Sequence, residues 1–310
     1  MPSAISLAHI NKQFVYQGDG NYEGLLLEND LTEEVRAMEY DVLELVAKAR
    51  EAVSGPEPLV DVGPHCKKPY ECQFVSHCWS MDAEHQLRIH RVTKSGEAEV
   101  LPGAREILEA LPYPRYYLDF ETIGPAIPIW KGTRPYAALP IQWSCHIEQE
   151  GEEMRHEEFL DLTGEPPMRA LAEAMIACLG ESGPVLMYTS YEKTVIKGLI
   201  EMFPDLAEPL TEIVNRLWDL HPLVKAHYYH PDMLGSWSIK AVLPAMVPEM
   251  SYAGLEGINQ GMGASDGFLE AINPDTDAAR KAELEKQLLR YCKFDTEAMV
   301  EIVRYFTCHV

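Results

Sequence analysis

The stretch YYLDFET at residues 116–122 places two carboxylates, Asp119 and Glu121, one residue apart at the end of an apolar run. In an extended strand, residues i and i+2 point to the same face. Two acids on one face repel each other unless a cation sits between them, and hard divalent ions such as Mg²⁺ and Mn²⁺ take such oxygens. Near the other end, LLRYCKFDTEAMVEI sets Tyr291 and Asp295 four residues apart, on one face of an expected helix. Leu288, Leu289, Phe294 and Met299 around them give that helix an apolar side to pack on a sheet. An acid on the packed side needs a partner, and a cation shared with Asp119 would supply one. Glu192 opens the helical pattern YEKTVIKGLIEMF directly after the strand-like PVLMYTS. Ligands gather at the carboxyl ends of strands in such sheets, although a helix N-terminus favours an acid on its own account. Asp219, in NRLWDLHPLV, follows an apolar pair and equally suits a cap or a turn. The chain carries 49 acids, so no one of these motifs decides alone.

A second group is of softer chemistry. GPHCKKPYECQFVSHCW spaces Cys66, Cys72 and Cys78 as C-x5-C-x5-C, three of the chain's seven cysteines. Thiolates at regular spacing suit zinc or an iron–sulfur cluster. A tetrahedral zinc site needs a fourth ligand, for which His65 or His77 is at hand. Cys145, Cys178 and Cys292 fall on expected strands or helices and read as core residues. Lys240, in GSWSIKAV, is either a phosphate holder or a surface lysine. Trp130 and Arg134 follow the first acidic strand, where they would stack a base and grip a phosphate, or simply pack a loop.

The elements that must position these groups follow from periodicity. Residues 4–27 read as strand, turn, strand around GDGN. Residues 32–54 read as one amphipathic helix with Thr32 as N-cap. GPEP at 55–58 closes it, and LPYPR marks a boundary. Beyond it come three expected strands (YYLDFE, PIQWSCHIEQ at 140–149, MRHEEFLDL at 154–162). A helix over PPMRALAEAMIACLG, a fourth strand over 184–190 and mostly helices complete the chain. This order describes a mixed α/β sheet flanked by helices, with a small N-terminal α+β Cys-rich region. Three parts are expected: 1–79 with hairpin, helix and Cys-rich knot, 80–112 as connector, and 113–310 bearing the acids.

Composition narrows the function classes. Hydrophobic and charged contents of 46% and 24% are ordinary for a globular chain of 310 residues. No run approaches the length of a membrane span, and no N-terminal stretch has the pattern of a secretory signal. An odd number of cysteines fits a reducing, cytoplasmic setting. The net charge of -23 argues against a simple nucleic-acid-binding module, but not against an enzyme that gathers carboxylates around metals and grips phosphates locally.

The order of the motifs carries a resemblance. D-x-E on a first strand, an acid opening the helix after the fourth, and Y-x-x-x-D near the end resemble the tyrosine-bearing DEDD exonucleases of the RNase H-like superfamily, over roughly residues 113–307. Arg290 stands where the histidine subgroup would carry histidine. The superfamily's second motif usually carries Asp; this chain offers Glu192, so either Glu192 or Asp219 would complete the site. DFETIGPAIPIWKGTRPYAALPIQWSCH, YEKTVIKGL, GSWSIKAVLP and YCKFDTEAMV are similar to a bacterial domain-of-unknown-function family, DUF2779. The superfamily implies an RNase H-like sheet, two Mg²⁺ or Mn²⁺ ions held by Asp119, Glu121, Asp295 and Glu192 or Asp219, and Tyr291 orienting the attacking water. The substrate implied is a single-stranded DNA or RNA end, cut 3′–5′. Rival expectations are a catalytically silent nucleic-acid-binding or assembly module on the same fold, and a phosphoesterase acting on nucleotides. Residues 4–79 also resemble the Cys-rich end of an iron–sulfur RecB-family nuclease. The Asp and Glu-x-Lys motif of such nucleases is missing, which implies a fragment or a shortened relative whose knot holds an incomplete cluster, zinc or nothing.

Overall fold

The computed structural model describes residues 2–56, 66, 70, 72–73, 83–255, 257–258 and 260–309. Two compact units divide them: residues 1–90 with 126–135, and residues 91–125 with 136–310.

In the first unit, β1 (Ser6–Ile10) and β2 (Leu26–Asp30) pair antiparallel, with Ser6 opposite Asp30 and Ile10 opposite Leu26. β2 begins near the end of the segment expected to hold it, because the aromatics between the strands are used in a loop. Tyr16 stacks on Tyr22 at 4.8 Å, and the Tyr22 hydroxyl donates to the Pro128 carbonyl. The Tyr16 backbone exchanges hydrogen bonds with Thr133 and Gly132. The span 32–54 is not one helix but two, α1 (Thr32–Ala37) and α2 (Glu39–Ser54), broken at Met38. Nor is Thr32 the N-cap. It is the first helical residue; Asp30 Oδ1 accepts its backbone N–H, and its hydroxyl accepts from Ile5 N at 2.8 Å, tying the helix start to β1. α3 spans Ala83–Ser95, and the division of the chain falls between its His90 and Arg91.

The second unit is a mixed α/β sheet flanked by helices. In chain order it holds β3 (Glu99–Val100), α4 (Ala104–Glu109), β4 (Arg115–Ile123), β5 (Leu139–Glu148) and β6 (Arg155–Leu160). Then come α5 (Met168–Leu179), β7 (Val185–Met187), α6 (Tyr191–Met202), α7 (Ala207–Arg216), β8 (Leu217–Asp219), α8 (Leu220–His227) and β9 (Tyr228–Tyr229). It ends with α9 (Ile239–Met246), α10 (Gly261–Ala271) and α11 (Ala278–His309). The main sheet has the order β6-β5-β4-β7-β8, antiparallel from β6 to β4 and parallel from β4 to β8. Sequence periodicity finds four of these strands and misses β8, whose three residues are too few to alternate.

Two features close the parallel half. Gly183 takes φ +88°, and a Cβ there would stand 2.0 Å from the Pro114 carbonyl oxygen, so glycine lets the chain entering β7 meet the start of β4. The Arg216 guanidinium then gathers the carbonyls of Leu179, Gly180, Ser182 and Gly183.

The sheet's two faces differ in chemistry. On one, Trp143 donates its indole N–H to the Leu171 carbonyl of α5. On the other, Tyr117, Asp119 and Glu121 of β4 stand opposite His146, Ser144 and Gln142 of β5, and α11 packs over them. Buried polar groups cost stability unless bonded. Here Gln142 donates to the Leu288 carbonyl at 3.0 Å, and Ser144 and His146 both meet Thr296 Oγ1, at 2.9 and 2.8 Å. These bonds fix how α11 lies on the sheet, one residue from Asp295. Among the described residues, no helix is long and apolar enough to cross a membrane.

Candidate metal centre

Asp119 and Glu121 sit near the carboxyl end of β4 and face α11. The register with β5 shifts between Glu121 and Thr122, where the paired residue jumps from Gln142 to Pro140, so regular pairing ends immediately after the second acid. Asp295 comes from α11, in the same face as Tyr291. Asp119, Glu121 and Asp295 each offer a carboxylate oxygen, and these oxygens lie within 4.8 Å of one another. Among the described residues this is the one such group of acid, histidine or cysteine ligands.

Glu192, in the first turn of α6, lies beside this triad rather than within it. Its side chain is buried, its charge acts on the Asp119 carboxyl, and its Oε2 is buried without a hydrogen-bond partner. Asp219 ends β8 one strand further out, opposite Met187. Its Oδ1 accepts the backbone N–H of His221, capping α8, and that of Thr189, which takes φ +81° at the turn into α6. Asp219 therefore holds the turn that delivers Glu192, while its charge reaches Glu192 across the short gap.

Crowding sets the electrostatics. Burial, then the charges of Asp295, Glu192 and Glu121, raises the Asp119 carboxyl well above the usual range. Burial and Asp295 do the same to Glu121, against the opposing pull of Lys240. Burial pushes Glu192 up to about 8. Asp295 is raised by burial to about 6, held back by its hydrogen bond from Tyr252 and by Lys240. Three clustered carboxyls with a fourth beside them, each disfavoured as an anion, are a donor set that a hard divalent cation relieves. The orphaned Glu192 Oε2 adds a lone pair with nothing to accept, so the residues fit such a cation.

Around the acids stand three groups. The Lys240 ammonium donates to the Tyr291 hydroxyl at 3.0 Å and lies 5.1 and 5.2 Å from the ring centroids of Tyr252 and Tyr291. Tyr252 donates its hydroxyl to Asp295 Oδ1. The Cys292 thiol lies 3.8 Å from Asp119 Oδ2. At the edge, the half-exposed Tyr191 meets Thr122 Oγ1 through its hydroxyl at 2.6 Å. Tyr252 escapes sequence reasoning because it lies in an irregular SYAG segment with no periodicity; Lys240 is visible there only as an ambiguous lysine.

The remaining candidates lie elsewhere. Trp130 is buried and its carbonyl accepts from Thr133, so loop packing occupies it, while Arg134 is exposed. Cys66 is buried and Cys72 exposed; both are free thiols, and Cys72 N donates to the Cys66 carbonyl at 2.8 Å. Cys78, His65 and His77 lie outside the described residues. Cys145 and Cys292 are fully buried, as core residues should be, while Cys178 is partly exposed.

A mixed sheet carrying a cluster of acids at a strand's end thus defines the class. Residues 116–238 match the family described as a domain of unknown function, DUF2779. No curated protein and no solved structure matches the chain. The matched segment holds Asp119, Glu121, Glu192 and Asp219 and ends before Lys240, Tyr252, Tyr291 and Asp295.

Proposed function

We propose that this chain is a metal-dependent 3′–5′ exonuclease of the tyrosine-bearing DEDD type, hydrolysing phosphodiester bonds at the end of single-stranded DNA or RNA. The observation that carries the reading is the convergence of Asp119, Glu121 and Asp295 within 4.8 Å, with Glu192 buried beside Asp119. Asp119, Glu121, Asp295 and Glu192 would hold two Mg²⁺ or Mn²⁺ ions, which supply Lewis acidity and charge neutralisation for an in-line displacement.

The chain's own groups then orient the reactants. Lys240 has three N–H donors and no lone pair, so in its bond to Tyr291 the phenol oxygen accepts. The phenol proton is left free to donate to a water or a phosphate oxygen. Burial and the surrounding acids raise the Tyr291 phenol further above its usual range, which keeps it a donor and rules it out as a base at neutral pH. The ammonium beside it is the cation placed to meet a phosphate. The six described cysteines are all free thiols, consistent with the cytoplasm as the place of action.

The test is hydrolysis of 5′-labelled single-stranded DNA and RNA with Mn²⁺ or with EDTA, comparing wild type with Asp119→Ala. The expected result is a metal-dependent ladder of shortened products, absent in the variant. A folded protein that binds Mn²⁺ yet cuts neither polymer would move the reading to small phosphoesters. One that binds no Mn²⁺ would leave the silent binding module.

A further inference from the structure

We infer that Tyr252 is a positioning residue of the acid cluster: its phenol holds Oδ1 of Asp295 so that the other oxygen, Oδ2, is the one presented to a divalent cation. The inference rests on the reading of the cluster as a cation site.

Three observations carry it. Tyr252 is buried, and its hydroxyl is spent on Asp295 Oδ1. A carboxylate with one oxygen tied to a phenol is restrained in rotation and offers the second oxygen singly. The ring is wedged by its neighbours: it lies edge-on to Phe294 at 4.8 Å and 82°, and to Tyr291 at 6.4 Å and 66°, both from α11. Its backbone is held as well. Ser251 Oγ accepts Ala253 N, and Gly254 N donates to the Ser251 carbonyl, so Tyr252 opens a capped turn of one 3-10 winding.

The same ring serves the other half of the site. Its face lies 5.1 Å from the Lys240 ammonium that donates to Tyr291. One phenol thus touches both the cation-binding acid and the group that aims Tyr291. Outer hydrogen-bond partners of this kind orient metal ligands, and their loss typically costs about 10–100-fold in metal affinity.

The test is Mn²⁺ binding to the full chain, read by the electron paramagnetic resonance of free Mn²⁺, for wild type and Tyr252→Phe. The ring stays and only the hydroxyl is lost. The expected result is roughly 10–100-fold weaker Mn²⁺ binding, with hydrolysis restored by raising Mn²⁺ and the KM for the oligonucleotide unchanged. Equal Mn²⁺ affinity in the two proteins would overturn the Tyr252 inference and leave the cation site standing. Absence of Mn²⁺ binding in wild type would remove the cation site, and the inference with it. If Tyr252→Phe does not fold, Tyr252→Gln and Tyr252→Leu decide the matter. The inference requires tighter Mn²⁺ binding in the glutamine variant, which keeps a donor, and equal binding in the two would overturn it.

Discussion

The Cys292 Sγ lies 3.8 Å from the backbone carbonyl oxygen of Asp119 and 3.8 Å from its Oδ2, so the helix that carries Asp295 meets the acidic strand through a thiol. A small side chain here is what lets α11 approach β4 closely enough for Asp295 to reach Asp119 and Glu121. Cys292→Leu adds volume where none is free. Overpacking of this kind costs about 1–3 kcal/mol, and here it also separates the acids. The expected outcome is a folded protein with a lower melting temperature and lost Mn²⁺ binding. Cys292→Ser, of similar size, should keep the binding. Thermal melts and Mn²⁺ titration of both variants check this.

Asp119 sits where its negative charge is least welcome without a cation and most needed with one. In a metal-free protein the neighbouring acids and burial raise its carboxyl well above the usual range. A raised folded-state value means that the native chain holds a proton the unfolded chain has released, so stability falls as pH rises through that window. Asp119→Asn removes this penalty. At pH 8 in EDTA the variant should be more stable than wild type, by on the order of 1 kcal/mol. In Mn²⁺ the ranking should invert, because only wild type gains from binding. Melting curves in the two buffers decide it: a variant that is less stable in both would mean that Asp119 is a structural acid.

Much of this site was legible in sequence because it obeys local periods. Asp119 and Glu121 share a face because strands alternate, and Tyr291 and Asp295 share one because helices repeat. What is not periodic was hidden. Tyr252 reaches Asp295 from an irregular turn, and no spacing announces that contact. β8 is three residues long, and its Asp219 read as an acid of uncertain role. The break at Met38 was hidden too, since apolar spacing continues through it. Thr32 has the chemistry of a cap, but Asp30 two residues earlier takes its N–H instead.

Glu192 and Asp219, left as alternatives by the sequence, are separated by their bonds. Asp219 Oδ1 already serves two backbone N–H groups, whereas Glu192 Oε2 has no partner. Asparagine caps helices about as well as aspartate, while loss of a cap costs typically about 1 kcal/mol. Asp219→Asn should therefore keep both stability and Mn²⁺ affinity, and Asp219→Ala should lose about 1 kcal/mol of stability. Glu192→Gln should keep the fold and weaken Mn²⁺ binding. Calorimetric titration of the three variants tests the assignment, and a Mn²⁺ loss confined to Asp219→Asn would reverse it.

Behind the acids, His146 and His156 lie with ring centroids 4.6 Å apart, and His146 Nδ1 meets Thr296 Oγ1 next to Asp295. Burial lowers His146 to about 3, with His156 adding to the effect, and lowers His156 to about 4. Both are therefore neutral in the native protein at pH values where the unfolded chain's histidines have already taken protons. With folded values below the ordinary 6.5, the stability they contribute is fully present above pH 6.5 and is lost as pH falls toward 4 and then 3. The raised carboxyls pull the other way, since acid relieves their repulsion, so the wild-type curve alone mixes the two effects. A difference isolates the histidine. His146→Gln should be less stable than wild type at pH 7.5, because the bond to Thr296 is weakened. Lacking one titrating ring, it should lose less histidine-linked stability than wild type on acidification. The gap between the two proteins, measured by urea denaturation in EDTA, should accordingly close between pH 6.5 and 4. A gap that stays constant across that range would mean that His146 takes up its proton in the native protein over the same range as in the unfolded chain, so that the seam holding α11 on the sheet becomes charged on acidification.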